Sequence, residues 1–209
     1  MFPAHPKKLR GFLFSRNFEA MFREKVIDTM LAAMCKALRT TMTVAQGDAV
    51  RFITAECDAA GVTDSRMVAY ILGTCFNECR FKSIPEIRAK KGSMVWDLQQ
   101  RYWNTGYYGR GYSQLTGESN YRKFGDLLGI DLVGKPDLAL LPAVGAKILV
   151  KGMVGGLFTG KALRHYFSDT KADWMGARLI VNGKLKGQKY GFMAKECAAA
   201  SMKIHAIIV

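Results

Sequence analysis

Glu78 stands at the end of an apolar run, Met67, Val68, Tyr70, Ile71, Leu72, Cys75 and Phe76, whose spacing is that of a buried helix. Apolar surroundings disfavour the ionised form of a carboxyl group, so a Glu delivered by such a helix can keep its proton near neutral pH and act as a general acid. The bland alternative is a solvated Glu at a helix end. Two further acids lie downstream, Glu86 in the segment KSIPEIR at 82–88 and Asp97, and either can supply a second carboxylate. Pro85, Gly92, Asn104 and Gly106 interrupt residues 80–108, a composition suited to an irregular wall beside a binding cleft. Trp96, Tyr102, Trp103, Tyr107 and Tyr108 crowd its second half, where they either stack on the apolar faces of rings such as sugars or fill core.

Residues 106–121 read GYYGRGYSQLTGESNY. Gly109 and Gly111, on either side of Arg110, indicate a tight backbone path that lets the chain approach a ligand or another element closely. The third glycine and the strand-to-helix setting of a dinucleotide fingerprint are missing, which argues against a nucleotide. Gln114, Thr116 and Asn120 are short polar groups suited to sugar hydroxyls, acetamides or an attacking water.

The elements that must position these groups read as helices. After an irregular start, Phe18, Met21, Phe22, Val26, Met30, Leu31 and Met34 recur at helical intervals. A second helix spans about 46–60, with Val50, Ile53, Thr54 and Cys57 and with Gly61 as its stop. Thr63, Asp64 and Ser65 offer capping side chains for a third, the apolar helix that ends at Glu78. The tail 198–209 is helical and then strongly apolar, and is expected to dock on the core. His165 reads as a structural or exposed histidine. Residues 1–60 are expected to form an N-terminal helical segment packed on a catalytic domain over 61–209, the whole making one compact domain.

The chain has 209 residues, 49% of them hydrophobic, enough for one sizeable core. No stretch reaches the roughly 18 apolar residues of a bilayer span, and the basic start Lys7, Lys8, Arg10 precedes too short an apolar core for a signal peptide, which implies synthesis in the cytoplasm. The five cysteines, Cys35, Cys57, Cys75, Cys79 and Cys197, are odd in number and lack metal-ligand spacing, so they read as buried free thiols. Lys and Arg number 31 against 17 Asp and Glu, a net charge of +14 that predicts attraction to a polyanion: nucleic acid, an anionic membrane or the bacterial envelope. The basic residues are dispersed and carry no nucleic-acid-binding signature, so no specific nucleic acid is expected.

The stretch YYGRGYSQLT at 107–116, followed by Asn120 and Tyr121, resembles the signature of family 19 glycoside hydrolases, the plant-type chitinases and related phage endolysins. The resemblance continues through 128–140, 146–153, 156–160 and 177–183, and is similar to the endolysin branch in particular. It implies a mostly α, lysozyme-like helical fold with a substrate cleft, hydrolysing a β-1,4 bond beside an N-acetylated sugar with inversion. Glu78 falls where the family carries the general acid of a His-Glu-Thr motif, but Asn77 replaces the His and Cys79 the Thr. Glu86 is the best candidate for the general base, although one alignment puts that base nearer Ala89 and leaves Glu86 displaced, and Asp97 is a weaker alternative. Inverting enzymes separate the two carboxyls by roughly 6.5–9.5 Å to admit a water. Thr116 matches the residue that holds this water; Tyr108, Gln114 and Asn120 match substrate-binding positions, as does Asn182, whose Asn-Gly pair otherwise reads as a turn.

The resemblance and the charge together imply an N-acetylmuramidase-type endolysin that needs no metal or cofactor and works as a monomer on peptidoglycan glycan strands at the anionic bacterial envelope. A chitinase, or a catalytically silent wall-binding or virion protein, is the alternative.

Overall fold

The computed structural model describes residues 25–183 and 188–209. Two compact units are present, Met1–Thr40 and Thr41–Val209. In the first, helix α1 runs over 25–38 and carries Val26, Met30, Leu31 and Met34. Lys7, Lys8, Arg10, Phe18, Met21 and Phe22 lie outside the described residues.

The second unit is mostly helical, as the sequence suggests. Its helices are α2 Val44–Ala59, α3 Ser65–Cys79, α4 Met94–Gln99, α5 Glu118–Leu128, α6 Pro142–Gly155, α7 Leu179–Asn182 and α8 Gln188–Ile208. Strands β1 Phe167–Ser168 and β2 Lys171–Ala172 form a small antiparallel hairpin. Helix α2 lies in this unit and packs against α6, a partner distant in sequence.

Helix α3 is the axis of the unit. Asp64 caps its start, accepting from the Arg66 backbone N–H at 2.9 Å. Tyr70, Ile71, Leu72 and Cys75 are fully buried along it, and α8 packs against it for much of its length. Gly73 makes that contact possible, because a Cβ there would overlap Ser201 of α8. The C-terminal tail therefore docks on the core, with Ala198, Ser201 and Ile204 buried. A second apolar group, Leu115, Tyr121, Phe124, Leu132, Ala139 and Ile148, fixes α5 and α6 beside the 106–121 segment.

Candidate active site

Glu78 occupies the last turn of α3, as its place after the apolar run predicts. The helix then stops abruptly, because Arg80 and Phe81 both take left-handed backbone conformations, φ 53° and 59°. Such a conformation costs a non-glycine residue roughly 1–2 kcal/mol, so it persists only where its surroundings enforce it. Here Phe81 is buried, and the Gln46 amide, anchored in the capping box of α2, donates to the Arg80 carbonyl at 2.6 Å. The double turn reverses the chain into the extended segment that delivers Glu86.

The seat of Glu78 is not purely apolar, contrary to the sequence reading. Nη2 of Arg178 donates to its Oε1 at 2.5 Å, with the side chains 2% and 16% exposed. Burial opposes the charge of Arg178, yet the neighbouring Glu78 carboxylate outweighs it and holds the guanidinium above its ordinary value. Nε and Nη1 of Arg178 are buried with no hydrogen-bond partner among the described residues. The two family departures turn away: Asn77 Nδ2 donates to Gly73 O at 2.8 Å, and Cys79 Sγ lies against Cys75 O and Tyr112 O. All five cysteines are free, Cys35 half-buried and the rest buried, as expected.

Glu86 is held differently. Its carboxylate accepts from Tyr102 Oη at 2.7 Å, Gln99 Nε2 at 3.0 Å and the Gly109 backbone N–H at 3.0 Å. Its own N–H donates to Gly109 O at 2.7 Å. Burial and the hydrogen bond to Glu86 push the Tyr102 phenol up to about 12, so it stays a donor across the neutral range. Gly109 is a glycine for a steric reason: a Cβ there would sit 3.3 Å from Glu86 Cβ and Oε2 and 3.0 Å from Gln114 Oε1. Asp97, by contrast, lies exposed on α4.

Arg110 organises the loop that supplies these contacts. It is buried, pairs with Asp137 at 2.7 Å, and donates to Gly106 O, Tyr108 O and Tyr121 Oη. Bridges from Arg110 to Pro85 and to Leu115 tie the Glu86 segment to the polar stretch after it. Gln114, at φ 51°, donates from Nε2 to Ile84 O and Gly111 O, leaving Oε1 as an acceptor beside Gly109. Thr116 Oγ1 spends its single proton on Gln114 O at 2.9 Å and so can only accept from a further ligand. Asn120 Nδ2 donates to Thr116 O.

The aromatic cluster divides its labour. Tyr107 packs on Tyr121 and is core, whereas Tyr102 holds Glu86. Tyr108 stacks on Trp103 at 4.5 Å and 14° and lies under the Arg110 guanidinium, while Arg88 sits over both Trp96 and Trp103. Asn182 closes α7, one turn after Arg178, and its Oδ1 is buried without a partner among the described residues. His165 is structural, its Nδ1 accepting from Ala162 N–H.

The structure thus gathers Glu86, Tyr108, Gln114, Thr116 and Asn120 into one bonded network, and sets Glu78 in a second network with Arg178 on the segment that also bears Asn182. Neither carboxylate bonds to the other among the described residues. Sequence reasoning missed Arg178, Gln99 and the positioning role of Tyr102. A charged residue inside the apolar run ARLIV at 177–181 is the signal that marks Arg178; for Gln99, one of two adjacent glutamines, there is none.

The sequence model of the chitinase class I family matches residues 40–151, starting one residue before the second unit. Chitinase 8 of Oryza sativa subsp. japonica is 63% identical over 38 residues, and the acidic 27 kDa endochitinase of Solanum lycopersicum 54% over 39. These segments cover 18% and 19% of this chain and only 15% and 16% of the two relatives' lengths. The fold is similar to that of chitinase C from Streptomyces griseus HUT6037, with a TM-score of 0.58 and 18% identity over 86% of this chain and 77% of that one. A bacterial family 19 chitinase gives a TM-score of 0.58 and 18% identity over 83% and 93%. With more than half its length matched, the chain belongs to glycoside hydrolase family 19, the class I chitinase family.

Proposed function

We propose that the protein is a glycoside hydrolase that cuts β-1,4 bonds of peptidoglycan with inversion, an N-acetylmuramidase-type endolysin. One observation carries the catalytic part: two carboxylates held by separate networks, Glu78 by Arg178 and Glu86 by three neutral donors. Glu78, when it carries a proton, passes it to the departing glycosidic oxygen and is left as the carboxylate that Arg178 stabilises. Glu86 takes a proton from a water whose other hydrogen is accepted by Thr116 Oγ1, and the water attacks the oxocarbenium-like carbon from the opposite face. Three donors on Glu86 leave lone-pair capacity for that proton while fixing the direction from which it comes. Gln114, Asn120, Tyr108 and Asn182 bind the sugars on either side.

Peptidoglycan is favoured by the net charge of +14, which concentrates the protein on an anionic envelope, and by the resemblance to endolysins. In this reading the protein is made in the host cytoplasm and acts as a monomer in the cell wall. Chitin is the second reading, supported by the names of the rice, tomato and Streptomyces relatives. The test is turbidity loss of outer-membrane-permeabilised Gram-negative cells, alongside hydrolysis of soluble N-acetylglucosamine oligomers. Lysis by the wild type and not by Glu78→Gln supports the peptidoglycan reading; oligomer cleavage without lysis replaces it with chitin. Binding to walls with neither activity means that the Asn77 and Cys79 departures accompany a silent protein.

A further inference from the structure

Helix α4 turns its inner face to the site and its outer face to solvent. On the inner face, buried Gln99 accepts from Ala89 N–H at 2.8 Å and donates to Ile87 O at 2.9 Å and to Glu86, which pins residues 86–89 alongside the helix. Met94, Val95 and Leu98 fall within an arc of about 100° that adjoins the Gln99 face. They are 81%, 50% and 49% exposed, and Ile87 on the pinned segment is 79% exposed. Contiguous exposed aliphatics on a soluble chain mark an interaction surface rather than a packing need.

The charges around this patch have one sign. Lys82, Lys90, Lys91 and Arg101 are exposed and form no ion pair among the described residues; Asp97 is the one exposed acid between 82 and 105. Aliphatic side chains offer a glycan neither a flat ring face nor a hydrogen bond, so the patch is poorly suited to sugar. A second copy would bring two cationic rims together across a two-fold interface, which is repulsive. Apolar side chains flanked along the chain by exposed Lys and Arg match an anionic lipid surface, where the aliphatics enter the headgroup boundary and the cations meet phosphate.

We infer that the exposed face of α4, with Ile87, is a docking surface for an anionic bilayer, holding the protein on the membrane with the Glu86 network on the adjoining face of the helix. This inference is independent of which glycan is cut, because its test contains no glycan.

Co-sedimentation of the full chain with phosphatidylglycerol vesicles and with phosphatidylcholine vesicles, at physiological salt, reads it out. The wild type is expected to bind the anionic vesicles selectively. Met94→Ser/Leu98→Ser, which changes no charge, weakens that binding about tenfold or more, given the apolar area withdrawn from lipid. Lys90→Glu/Lys91→Glu weakens it to a similar or greater degree. Unchanged thermal unfolding establishes that both variants are folded. Equal vesicle binding by Met94→Ser/Leu98→Ser and wild type overturns the inference, since it reduces the attraction to diffuse charge. So does a wild-type dimer in sedimentation that Met94→Ser/Leu98→Ser dissolves without wild-type vesicle binding, which assigns the patch to a second copy.

Discussion

The two carboxylates sit on either side of one chain reversal yet are secured by opposite means. Glu78 is rooted in a buried helix and held by one charged partner, Arg178, from a segment 100 positions later. Glu86 lies on an extended segment and is held by neutral donors from the next two dozen residues, Gln99, Tyr102 and the Gly109 backbone. A buried cation gives Glu78 a fixed place at the cost of a mutual dependence: remove either partner and a charge is stranded. Neutral donors give Glu86 direction without adding a net charge beside it, which suits a group that must accept a proton and release it.

Removing the base itself gives the largest effect. Glu86→Gln keeps the size of the side chain but cannot take a proton, and is expected to lower kcat about a thousandfold on the cleaved glycan; because its amide nitrogen must face either the Gly109 N–H or the Tyr102 and Gln99 donors, the unfolding temperature should also fall by a few degrees. Retained activity would shift the base to another group. Next comes Arg178→Gln, which strands Glu78 in a largely buried site; chemical denaturation should show a loss of about 3 kcal/mol. In the double variant Glu78→Gln/Arg178→Gln no charge is stranded, so part of that loss should return. Additive losses would mean that the ion pair does not couple the two segments.

Smaller again is Tyr102→Phe, which deletes one donor to Glu86 and nothing else. A fall in kcat of roughly tenfold is expected, the size of one hydrogen bond to a charged group, with the acid limb of the kcat profile against pH displaced and KM nearly unchanged. A change in KM alone would assign Tyr102 to sugar binding. The smallest effect lies at the far end of α3. Hydrogen bonds from Arg66 hold the Asp64 carboxyl below its ordinary 3.8 despite the opposing cost of burial. A depressed folded value means that the carboxylate stabilises the fold fully above the unfolded value and stops doing so as pH falls through the folded one. Asp64→Asn should therefore flatten the decline of unfolding temperature below about pH 4. An acid limb identical to wild type would remove Asp64 from α3 stability.

The same contrast explains what the sequence alone reveals. The end of α3 is legible because Asp64, the buried run and Glu78 lie within one helix and obey its period. Glu86 and Thr116 are legible through the family resemblance, and Gly109 through the glycine pair around Arg110. Arg178 escapes assignment, because nothing near residue 78 announces a partner 100 positions away. Gln99 is hidden for a different reason: its value lies in bridging α4 to residues 86–89, a tertiary property that no local pattern encodes. The packing of α2 on α6 is equally hidden, because α2 looks like any amphipathic helix until its partner is seen.

The anomeric form of the first product decides whether the two networks work as an acid and a base with water between them. Proton NMR during the opening minutes of hydrolysis, on peptidoglycan-derived glycans or N-acetylglucosamine oligomers according to which is cut, resolves the new reducing end before mutarotation. An α-anomer formed first by the wild type, at a rate collapsed in both Glu78→Gln and Glu86→Gln, is the predicted result. A β-anomer formed first would contradict it, since retention requires a first attack on the sugar by a carboxylate or by the substrate's own acetamide in place of water.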